Sequence, residues 1–110
     1  MSLGLTFRFL SEFAAGLWLT APLLLSLAAI ITFIGQVVGR KEGWSRFESF
    51  YWSFVTATTV GYGDIRPTHR VCRLLAIVTA LLGLVFTGIL IAIAVSAGTE
   101  ALKMRGAVLP

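Results

Sequence analysis

The sequence predicts an all-α membrane protein in which two transmembrane helices flank a re-entrant short helix and loop. Three observations predict it. First, the 110 residues are 57% hydrophobic and only 13% charged, more apolar side chain than a soluble domain of this size hides. Second, the apolar residues fall in two blocks without ionisable side chains, between Glu12 and Arg40 and between Arg73 and Glu100. Each block is about 26 residues, or about 39 Å as a helix, whereas a bilayer core of ~30 Å needs about 20 residues. Third, a stretch with helical periodicity lies between the blocks and is too short to cross.

Taken in chain order, residues 1–12 mix Leu3, Leu5, Phe7, Phe9 and Leu10 with Ser2, Thr6, Arg8 and Ser11, the pattern of a weakly amphipathic interfacial segment. The outer helix is expected over 13–38, with a local kink at Pro22. It is too long for the apolar core of a cleaved signal peptide and is expected to be retained. Gly39-Arg40-Lys41-Glu42-Gly43 is a polar break where the chain leaves the membrane. The pore domain as a whole is expected over 13–103, with a short helix at 45–58, a loop at 59–64, an inner helix at 70–103 and a tail at 104–110. Ser45 and Glu48 have the spacing of a capping box that starts the short helix. Phe47, Phe50, Tyr51 and Phe54 then recur at helical spacing along one face. There is no repeat and no low-complexity segment.

The net charge of +4 and pI near 10.0 do not signal nucleic acid. The basic residues are scattered over loops and helix ends, without a basic face interleaved with stacking aromatics. They suit the headgroup level of a lipid membrane instead. The one cysteine, Cys72, cannot form an intrachain disulfide and reads as an inert small hydrophobe with no metal cluster around it. His69 has no evident base or metal partner, so nothing supports an enzyme. A helix with Arg at every third position is absent, so the chain has no voltage sensor.

The short helix runs into Thr58-Thr59-Val60-Gly61-Tyr62-Gly63-Asp64. This T-T-V-G-Y-G-D stretch resembles the selectivity filter of the potassium channel family. The likeness extends over about residues 14–100, in the two-helix bacterial pattern that also forms the pore of larger voltage-gated channels. Its chemistry follows from ion dehydration. A pore that passes K⁺ selectively must replace the hydration shell with oxygens at fixed spacing, and backbone carbonyls do so when successive residues aim them at one axis. Two glycines supply the positive-φ positions such a ribbon needs. Irregular backbone at membrane depth is tolerated where it is buried in protein or lines a water-filled cavity.

The resemblance implies the tetrameric potassium-channel pore fold, with three identical subunits as partners, membrane lipid around them, and K⁺ as the permeant ion. It implies that Thr59, Val60, Gly61 and Tyr62 coordinate the ion through their carbonyls. Gly63, Asp64 and Thr58 support the filter together with Val55, Tyr51 and Trp52. Val60 and Tyr62 are expected to wedge back against the short helix, with Trp52 as partner of the Tyr62 hydroxyl. Two positions depart from the family pattern. Tyr51 stands where Trp is frequent, and Val55 stands where some bacterial members carry a Glu that pairs with the filter Asp, which leaves Asp64 without that partner. Sodium-permeable relatives replace the filter Tyr with Asp, so Tyr62 favours K⁺.

In the inner helix, Gly83 aligns with the family's glycine hinge, and close packing explains it equally well; for Gly88 packing is the favoured role. Thr87 and Ile91, one turn apart, are expected to face the cavity, and Val95 and Thr99 to continue that stripe as an inner gate. Arg66 is expected at the outer mouth, where it would repel external cationic blockers. His69 reads as a solvated loop histidine. Family topology places both termini in the cytoplasm and the protein in the cell membrane. Arg40, Lys41, Arg46, Arg66, Arg70 and Arg73 on the outer side then invert the usual positive-inside bias, so orientation comes from the resemblance and not from charge. The sequence fits either a minimal channel or a pore whose cytoplasmic regulatory, ligand-binding domain is not present in this chain. A non-conducting membrane anchor would match the hydropathy but gives no reason for Thr58 to Asp64. Cation uptake transporters keep one filter glycine per repeat in longer chains with four repeats.

Overall fold

The computed structural model describes residues 2–104; Met1 and the tail from Arg105 onward lie outside the described residues. Three α-helices follow one another, α1 (Ser2–Glu42), α2 (Arg46–Ala57) and α3 (Arg70–Met104), and the described residues contain no strand. At 41 and 35 residues, α1 and α3 are long and apolar enough to cross a membrane. At 12 residues, α2 is not. Residues 2–12, expected as a separate interfacial segment, are instead the first turns of α1, and the helix continues through Pro22.

Local chemistry sets the ends of α2. Ser45, with φ −69° and ψ 166°, takes the extended conformation of an N-cap. Its Oγ accepts from the Glu48 amide at 3.1 Å while its own amide donates to Glu48 Oε1 at 2.9 Å, which closes the capping box. At the other end Thr58 caps the helix, its amide donating to the Phe54 carbonyl at 2.9 Å and its hydroxyl to the same carbonyl at 2.6 Å.

The chain divides into two compact units. Among the described residues, one comprises 2–22 and 88–104. In it α1 meets α3 through small residues: a Cβ on Gly16 would fall 2.6 Å from Ile93 Cγ2, and Ala97 and Ala101 are buried. The other comprises residues 23–87 and holds α2 and the loop after it. In it α1 presents Gly35 and Gly39, one turn apart, to Ser49 and Ser53, one turn apart on α2. Both serines are buried; a Cβ on Gly35 would lie 2.7 Å from Ser53 Cβ, and one on Gly39 would collide with Ser49 Oγ. Small residues on both helices let the backbones approach closely, the packing that membrane helices favour. The serine hydroxyls are satisfied locally, Ser49 donating to the Ser45 carbonyl at 2.8 Å and Ser53 to the Phe50 carbonyl at 2.7 Å. The packed face of α2 is therefore Ser49, Trp52, Ser53 and Ala57, whereas Phe47 and Phe50 on the aromatic face are exposed. Val38, Trp52 and Cys72 form this unit's core, with Trp44 tilted against Trp52 at a ring separation of 5.5 Å.

Candidate functional site

The loop between α2 and α3 carries the unusual backbone of the chain. Thr59, Gly61 and Gly63 have φ of 67°, 56° and 80°, so every second residue is left-handed. The two glycines take this conformation at little steric cost. Thr59 does not: a β-branched residue with positive φ is a genuine outlier, costing about 1–3 kcal/mol, and such strain clusters at functional sites. The glycines mark two of these positions in the sequence, and no propensity signals the third.

The loop is tied to α2 by its amides. Thr59 N donates to the Thr56 carbonyl at 3.2 Å and Gly61 N to the Val55 carbonyl at 3.1 Å, and both satisfy carbonyls that the end of a helix leaves free. The Thr59 hydroxyl donates to the Thr58 carbonyl at 2.5 Å. Alternating left-handed backbone gathers amides on one side of a ribbon and so turns successive carbonyls to the other side. With the Thr59 and Gly61 amides engaged, the negative C-terminal end of the α2 dipole beside the loop favours a cation over an anion there.

The supporting residues are distributed differently from expectation. Asp64 does have a partner: the Tyr51 hydroxyl donates to Asp64 Oδ2 at 3.0 Å. Tyr51, which departs from the frequent Trp, thereby replaces the carboxyl that Val55 cannot supply. This hydrogen bond is the main reason that the Tyr51 phenol is held above its ordinary value, with burial and the Asp64 charge adding to it. Trp52, expected beside the Tyr62 hydroxyl, is buried against Trp44 instead. Val60 and Tyr62 are 53% and 72% exposed and are not wedged within the chain.

On α3, a Cβ at Gly83 would overlap the Ala57 backbone, so this glycine lets the end of α2 lie directly on α3. At Gly88, where packing was expected, nothing lies within 4 Å of the place a methyl group would take. The Thr87 hydroxyl is buried without a hydrogen-bond partner among the described residues, whereas Thr79 donates to the carbonyl one turn back at 2.9 Å. Ile91 and Val95 are exposed, as is Thr99, whose hydroxyl donates to the Val95 carbonyl at 2.9 Å. Arg66 is exposed in the loop that leads from Asp64 to α3.

The expectation that His69 lacks a partner is overturned. Its Nδ1 lies 2.7 Å from Glu42 Oε2, a carboxylate that also accepts from the amides of Thr68 and His69 at 3.0 and 2.9 Å and from the Thr68 hydroxyl at 2.9 Å. Glu42 lies past the apolar stretch that ends at Val38, and from there it caps the start of α3. These bonds, the His69 amide foremost, lower its carboxyl from 4.5 to about 2.

A family model described as ion channel matches residues 19–100. The chain belongs to this ion channel family. A protein described as TWiK family of potassium channels protein 7, from Caenorhabditis elegans, is 41% identical over 69 residues, covering 60% of this chain and 12% of that protein. The potassium channel subfamily K member 16 of Homo sapiens is 36% identical over 76 residues, covering 63% of this chain and 25% of that protein. The human potassium voltage-gated channel subfamily KQT member 4 is 33% identical over 69 residues, covering 63% and 10%. The chain thus spans a quarter or less of the length of these relatives. No solved structure matches it.

Proposed function

We propose that this chain is the pore-forming subunit of a K⁺-selective channel that works as a homotetramer in the cell membrane, with both termini cytoplasmic. One loop supplies a quarter of each oxygen ring, so four copies around a fourfold axis complete the site. The carbonyls of Thr59, Val60, Gly61 and Tyr62 replace the water around a K⁺ ion, Gly63 and the Tyr51–Asp64 bond hold the outer end of the ribbon, and Thr58 and Val55 hold the inner end. Helix 13–38 is the outer helix, 45–58 the pore helix, 59–64 the filter and 70–103 the inner helix. Thr87 and Ile91 line the cavity, and Val95 and Thr99 line its inner mouth. Arg66 stands at the outer mouth.

The observation that carries this reading is the left-handed backbone at Thr59, Gly61 and Gly63 with the loop amides turned back onto α2. The exposure of Val60 and Tyr62 supports assembly, since large side chains next to a filter need a neighbouring subunit to cover them. That the relatives named above are potassium channels supports the choice of ion. The test is ion flux from proteoliposomes carrying the purified protein. Efflux with K⁺ inside and little with Na⁺ inside is the expected result; equal efflux of both ions defeats the selectivity reading.

A further inference from the structure

Glu42, His69 and Cys72 meet although 26 residues separate the first two: a carboxylate oxygen, a His69 ring nitrogen and Cys72 Sγ all lie within 4.8 Å of one another. We propose that these three side chains form a binding site for a thiophilic divalent cation, Zn²⁺ by the chemistry of its donors, at the junction of α1 and α3. This site does not rest on the conduction reading.

The donor set is selective. A thiolate and an imidazole favour Zn²⁺ over Mg²⁺ or Ca²⁺, which take oxygen ligands, and three protein ligands leave a fourth position for water. His69 and Cys72, three residues apart at the start of α3, project on one side of the helix, and Glu42 comes to them from the end of α1. The His69 side chain is 62% exposed and the Glu42 side chain 4%, while Cys72 is fully buried. The ion therefore enters from solvent past the imidazole and reaches a sheltered thiol. Binding displaces the proton on Cys72 Sγ, and a metal on His69 Nδ1 leaves the neutral imidazole carrying its hydrogen on Nε2. Thiolate and carboxylate then carry two negative charges against the two positive charges of the metal, a neutral site that suits this depth of burial. Lys41 and Arg70 line the adjacent surface with His69 and oppose a cation that brings uncompensated charge. The main-chain amides of Thr68 and His69 continue to orient the carboxylate, as supporting groups orient metal ligands elsewhere. Bound metal would fasten the outer end of α1 to the start of α3.

The experiment adds Cd²⁺ or Zn²⁺ alone to the purified protein in detergent. The expected result is a Cd²⁺–thiolate charge-transfer absorbance saturating at one ion per chain, reversed by Zn²⁺, with a melting temperature that rises with metal concentration. Cys72→Ser should abolish the absorbance. His69→Gln should keep the helical circular dichroism spectrum of the folded protein and weaken binding at least tenfold. No absorbance in the wild type, or unchanged Cd²⁺ affinity in His69→Gln, overturns the site, the second because the thiol would then be reacting by itself.

Discussion

Gly83→Ala separates the two roles open to this glycine. In a helix, alanine is favoured over glycine by about 1 kcal/mol. At Gly83 the new methyl meets the main chain of Ala57, a residue only 1% exposed, and no flexible side chain is there to yield. Overpacking of a filled site costs about 1–3 kcal/mol, and contact with backbone puts this case at the upper end. The net expectation is a loss of about 2 kcal/mol. At Gly88, where nothing lies within 4 Å, the same change should gain up to about 1 kcal/mol. The two variants should thus differ by about 3 kcal/mol, roughly two decades in equilibrium constant. Denaturant unfolding of both purified proteins in detergent measures this difference. Because Ala57 ends the helix that leads into the proposed filter, Gly83→Ala should also reduce K⁺ over Na⁺ discrimination. A Gly83→Ala protein as stable as Gly88→Ala, with only its opening altered, would refute the packing argument and leave the hinge.

Four further outcomes concern the loop and its surroundings. Tyr51→Phe removes an exposed hydrogen bond to a charged acceptor; conduction should become less sustained under steady voltage, and Asp64→Asn should return the Tyr51 phenol toward its ordinary value in a spectrophotometric titration. Because Glu42 titrates lower folded than unfolded, its contribution to stability is complete above its ordinary value of 4.5 and is lost as pH falls toward about 2; circular dichroism against pH should show that acid limb flattened in Glu42→Gln. Arg66→Tyr should raise sensitivity to external tetraethylammonium, and equal block of both proteins would remove Arg66 from the outer mouth.

The membrane-spanning helices and the start of the short helix are legible in the sequence because hydropathy and capping are local properties. Apolar runs set α1 and α3, and the reciprocal bonds of Ser45 and Glu48 need only four residues. What escapes is non-local. The contact of Gly35 and Gly39 with Ser49 and Ser53 is visible only when two stripes of small residues are matched across helices, although their common four-residue spacing is there to be read. The aromatic run Phe47, Phe50, Tyr51 and Phe54 draws attention to the opposite face. Glu42 and His69 come together across 27 positions, and no periodicity joins them. Tyr51 and Asp64 pair because the loop folds back along α2, so a substitution that reads as a departure in sequence supplies a bond in space. Thr59 is left-handed against its own preference, imposed by the amide bonds on either side of it.

The most direct measurement is the structure of the purified assembly in K⁺, with Tl⁺ substituted to mark the permeant ion. Ion density on a fourfold axis, ringed by the main-chain oxygens of Thr59 through Tyr62 from four copies, is the expected result. Ions bound elsewhere, or these residues turned away from a shared axis, would contradict it.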